Sequence, residues 1–70
     1  MPKSVLNVTI GNRIKRARVS ANLTQEALAR ETKIKQSTIS QLEAGLRPAS
    51  IAQIAKISRA SNVSLNFFLP

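Results

Sequence analysis

Residues 23–45 read LTQEALARETKIKQSTISQLEAG. Thr24 suits the position before a helix, because its hydroxyl can accept a bond from a first-turn backbone N–H, and Glu26 places negative charge at the positive end of the helix dipole. Ala27, Leu28 and Ala29 supply a small inward face, which predicts a short helix over about 25–32. Lys33-Ile34-Lys35 is a tight connection without glycine. A further helix is predicted over about 36–44, with Ile39 and Leu42 three residues apart on the inward side. Gln36, Ser37, Ser40, Gln41 and Ala44 lie around its other side, and Gly45 stands where a glycine ends a helix.

Two short helices across a turn, the second with a polar outer face, make a helix-turn-helix pattern over about 24–44. A helix that enters a major groove must show hydrogen-bonding side chains outward and anchor itself inward. Ile39 and Leu42 can anchor; Gln36, Ser37 and Gln41 can read. A Gln amide offers a donor and an acceptor together, which matches the N6/N7 edge of adenine.

Working outward, Ile10, Ile14, Ala17 and Ala21 recur at helical spacing and predict a first helix over about 10–21, capped by Thr9 and ended by Asn22. Residues 5–10 read as an extended or frayed arm. After the Leu46-Arg47-Pro48-Ala49 loop, Ser50 and Gln53 form a capping box. Ile51, Ile54, Ala55 and Ser58 form the stripe of the helix that follows, with Ile57 on its flank, and Asn62 terminates it. Ser64 caps a last short helix, Leu65 to Leu69. Strand signals are poor throughout. The expectation is an all-α fold: a compact five-helix bundle forming one domain over residues 1–70.

The charge balance points the same way. Eleven Lys and Arg face three acids, all Glu, for a net charge of +8 on 70 residues, which implies a polyanionic partner. With no His and no Cys, a His or Cys metal cluster, a thiol nucleophile, a His general base and a disulfide scaffold are all excluded. No G-x-S-x-G nucleophile turn is present, and two distant glycines cannot cradle a phosphate. The expectation is no enzyme activity, no catalytic residue, no metal and no cofactor. The basic first helix lacks Trp, Phe or Leu for bilayer insertion, and no stretch approaches a membrane span or a signal peptide, so a cytoplasmic location is expected.

Several motifs at fixed spacing resemble the lambda-repressor/Cro-like helix-turn-helix domains of bacterial and phage regulators. Leu23-Thr24-Gln25-Glu26-Ala27-Leu28-Ala29 is similar to that family's "LTQEELA". Ser37 to Gly45, STISQLEAG, resembles "STISRIERG". Ser50-Ile51 through Val63-Ser64-Leu65 resembles "SLETLLKIAKALGVSLDEL". The likeness runs without a gap from about residue 10 to residue 69. It implies that 36–44 is a recognition helix, with Gln36, Ser37 and Gln41 facing bases and Lys35 and Thr38 at the groove edge. It also implies a phosphate contact at Gln25, a backbone contact from Arg47, and a structural salt bridge between Arg18 and Glu43. Three positions depart from the family pattern. Lys33 stands where Gly is frequent, Thr32 where a larger apolar residue is frequent, so that looser packing is expected there, and Lys35 where Ser, Thr or Asp often caps.

The resemblance implies a sequence-specific double-stranded-DNA-binding transcriptional regulator, a repressor of Cro/C1 type. A helix of this length reads about four to six base pairs, so a homodimer on a roughly palindromic operator is expected, with no membrane and no small-molecule substrate as partner. The alternative is an antitoxin or restriction-modification controller module whose main partner is another protein. Arg13, Lys15, Arg16 and Lys56 are candidates for phosphate contact or simply solvated positions. Phe67 and Phe68 are candidates for core packing or, with Leu69, for a dimer interface.

Overall fold

A computed structural model describes residues 4–70. The described chain is all-α and has no strand: α1 (Val5–Ser20), α2 (Gln25–Thr32), α3 (Gln36–Glu43) and α4 (Ile51–Ser61), followed by a 3-10 helix (Leu65–Phe68). The expected fifth helix is thus a single 3-10 turn. Ser64 starts it by accepting from the backbone N–H of Asn66.

The ends of most helices follow from local chemistry. Thr24 Oγ1 accepts from Ala27 N at 3.0 Å. Ser50 and Gln53 close a reciprocal capping box at 3.1 and 2.9 Å. Asn22, Lys33, Asn62 and Gly45 all adopt positive φ just past a helix. Of these, Lys33 (φ 58) costs about 1 kcal/mol relative to glycine, since its Cβ crowds the carbonyl.

α1 departs from expectation. Residues 5–10 are helical rather than an arm: the helix begins at Val5, and Ser4 rather than Thr9 caps it, accepting from Asn7 N at 3.3 Å. β-branched Val and Thr weaken a helix only by tenths of a kcal/mol, and packing outweighs that. A Cβ at Gly11 would lie 2.2 Å from the Leu42 carbonyl oxygen, so only glycine lets α1 lie this close to the end of α3. One turn earlier Val8 covers Gly45, whose own Cβ would meet the Val8 side chain at 2.9 Å.

Ile14, Ala17, Leu28, Ile34, Ile39, Leu42, Ile54, Ile57 and Phe68 are the buried core. The α4 stripe is rotated from the expected one: Ile54, Ile57 and Ser61 face inward, while Ile51 is 68% exposed. Ile57, read as a flank residue, is fully buried. Ser61 turns its hydroxyl onto the Ile57 carbonyl at 2.6 Å, which makes its burial tolerable. Thr32 is also buried, donating to Leu28 O at 2.7 Å and accepting from Ile34 N at 3.3 Å, and it lines a cleft between α2 and α4.

Candidate nucleic-acid interface

α3 is seated by Ile39 and Leu42, both buried, so the positions between them must face away from the core. Gln36, Ser37 and Gln41 are exposed, with Thr38 half-buried at the edge and Lys35 exposed at the N-cap. Lys35 makes no capping bond. The first N–H groups of α3 therefore stay available as donors, at an end where the helix dipole is positive.

One buried acid ties the three helices of the site together. Glu43 Oε2 accepts from Arg18 Nε at 2.7 Å, and its Oε1 accepts from Arg18 Nη2 at 3.2 Å and from Gln25 Nε2 at 3.1 Å. Arg18 also donates to the Leu23 carbonyl at 2.9 Å. The side chains are 14% and 5% exposed, so this bidentate pair is shielded from solvent. Arg18 and Glu43 thus meet as expected. Gln25, at the start of α2, is drawn into the same network: one amide hydrogen goes to Glu43, which leaves the other for a further acceptor.

Arg47 does not stand alone in its loop. Its Nη1 donates to Gln41 Oε1 at 3.0 Å. This leaves the NH₂ of Gln41 as the unengaged end of the amide, where the sequence offers donor and acceptor together. The carbonyl keeps one lone pair, and four guanidinium hydrogens of Arg47 remain. Spacing alone could not show this contact, because it spans six residues across the Gly45 turn.

Two other arginines are committed elsewhere. Arg13 Nη1 donates to the carbonyls of Leu69 at 2.6 Å and Phe67 at 3.4 Å. Arg16 lies over the Phe67 ring, 5.5 Å from its centroid. Together they clamp the C-terminal segment to α1. Phe68 fills the core, and Phe67 meets it edge-on with centroids 5.5 Å apart. Lys15 and Lys56 are exposed.

A helix-turn-helix family model, HTH_3, matches residues 14–68. A comparison with curated proteins found no match. Among solved structures, the restriction-modification controller protein C.AhdI from Aeromonas hydrophila superposes with a TM-score of 0.84 at 27% identity, over 90% of this chain and 96% of that one. The controller protein C.Esp1396I, solved as a tetramer with its natural 35 base-pair operator, matches at 30% identity and a TM-score of 0.82, over 94% and 88% of the two chains. The clp gene regulator ClgR from Corynebacterium glutamicum shares the fold, with a TM-score of 0.87 at 22% identity over 96% of this chain and 71% of that one.

Proposed function

The chain belongs to the helix-turn-helix family HTH_3, and from that premise we propose that it is a sequence-specific double-stranded-DNA-binding transcriptional regulator. The observation that carries the reading is α3: two buried anchors, three exposed hydrogen-bonding side chains, and an uncapped positive end. Gln36, Ser37 and Gln41 read base edges. Lys35, Thr38, Gln25 and Arg47 hold the groove edge and the backbone. Arg18 and Glu43 keep α1, α2 and α3 in register. The net charge of +8 supplies sequence-independent affinity, and the polar face of α3 supplies choice of site.

The chain acts as one DNA-binding unit, without catalysis, as a homodimer on a roughly palindromic operator in the cytoplasm. Among the described residues no helix is long and apolar enough to cross a membrane. Likeness to two restriction-modification controllers supports a controller-type regulator as the narrower reading.

The test is selection of bound sites from a random duplex pool, with the wild type, Gln36→Ala and Gln41→Ala. The wild type is expected to enrich a symmetric site. Each variant is expected to lose discrimination of about 1–3 kcal/mol at one position of each half-site. Unchanged preference in both variants refutes the assignment of α3.

A further inference from the structure

The arginines and lysines among the described residues divide into two groups. Arg13, Arg16, Arg18 and Arg47 are each engaged by protein groups. Three of the others converge on one place. Lys33, Lys56 and Arg59 line a cleft of about 440 Å³ between the end of α2 and α4, with Glu31, Thr32 and Ala60. Among the described residues none of the three cations has an ion-pair or side-chain hydrogen-bond partner. The single salt bridge among the described residues is Arg18–Glu43, so Glu31 pairs directly with none of them, and the cleft keeps an excess of three cations over one acid. The Thr32 hydroxyl is spent on Leu28 and Ile34, so the cleft recognises its occupant by charge at the rim.

Lys33 sharpens the point. Of the four described residues at positive φ, three are Asn or Gly, which take that conformation with little strain. The fourth is a lysine, and its side chain lies on this cleft. Lys33 is two residues before Lys35, the N-cap of α3, so the cleft shares a residue with the turn that leads into that helix.

We propose that Lys33, Lys56 and Arg59 form a second phosphate site, which holds the backbone of the duplex flanking the bases read by α3. The inference rests on the function proposed above. It makes affinity depend on DNA beyond the recognised bases. Each phosphate contact contributes about 0.9 to the slope of log K against log salt, or about 3.5-fold in affinity between about 50 and 200 mM salt.

The experiment measures affinity by fluorescence anisotropy on two duplexes carrying the selected site, one trimmed to that site and one extended by about ten base pairs at each end. The proteins are the wild type and the triple variant Lys33→Gly, Lys56→Gln, Arg59→Gln, with Lys56→Gln, Arg59→Gln as a second variant that leaves the turn at Lys33 unchanged. The wild type is expected to gain affinity from the flanks at about 50 mM salt, with a slope steeper by about 2, so that the gain shrinks about tenfold by about 200 mM. The variants are expected to bind the trimmed duplex as the wild type does and to lose the flank gain. No flank gain in the wild type overturns the proposal, as does a gain that survives in the variants or an equal loss on both duplexes. A wild type that binds neither duplex refutes the parent reading, and the inference falls with it. Thermal stabilisation of the wild type by pyrophosphate, absent in the variants and without any flank gain, identifies free phosphate as the occupant and also overturns the assignment to DNA.

Discussion

Replacing Arg18 by alanine removes two of the three hydrogen bonds that Glu43 accepts. What remains is a carboxylate 5% exposed, facing one neutral amide at 3.1 Å. Breaking a buried pair on one side costs about 3–5 kcal/mol, because the surviving charge stays out of water without a counter-charge. The remaining bond from Gln25 places the loss near the lower end, at about 3 kcal/mol. A domain of this length holds roughly 3.5–10 kcal/mol in all. At about 4–8 °C per kcal/mol, melting is expected to fall by about 12–24 °C. Far-UV circular dichroism melts and urea titration without DNA measure it directly. A companion variant, Arg18→Met with Glu43→Leu, removes both charges and is expected to recover most of the loss. Base preference of Arg18→Ala, measured below its melting temperature, should match the wild type. A loss under about 1 kcal/mol, the value of an exposed pair, refutes the claim that this contact holds α1 and α3 together.

Three other outcomes follow from single contacts. Lys33→Gly relieves the positive φ and is expected to raise stability by about 1 kcal/mol in urea titration; a neutral or negative change contradicts the strain. Gly11→Ala drives a methyl toward the Leu42 carbonyl and is expected to cost about 1–3 kcal/mol, despite alanine's better helix propensity, with stabilisation the contrary result. Arg47→Ala frees the Gln41 carbonyl and is expected to change base preference at the position Gln41 reads, whereas a uniform loss across all sequences assigns Arg47 to phosphate alone.

The helix ends were legible because capping is a local matter. Thr24 bonds three residues on, Ser50 and Gln53 bond each other, and Asn22, Gly45 and Asn62 adopt the backbone conformation their side chains allow. The outward face of α3 was legible for the same reason, since two anchors three apart leave one orientation. The start of α1 was not, because it depends on Gly11 and Val8 docking against residues more than thirty positions away. The inward face of α4 was ambiguous in the same sense. Ile51, Ile54 and Ser58 make a helical stripe as good as Ile54, Ile57 and Ser61, and only the neighbouring helices select between them.

Residue types and short-range spacing were therefore enough for the class of fold, the turn and the reading helix, all of which rest on interactions within about one helical turn. Packing alone decided the partners of the long cations. A flexible arginine can reach many groups, and Arg13 and Arg16 found the C-terminal segment, Arg18 found Glu43, and Arg47 found Gln41. Which charges stay free is a consequence of the assembled shape, and three of those free charges gather at Lys33, Lys56 and Arg59.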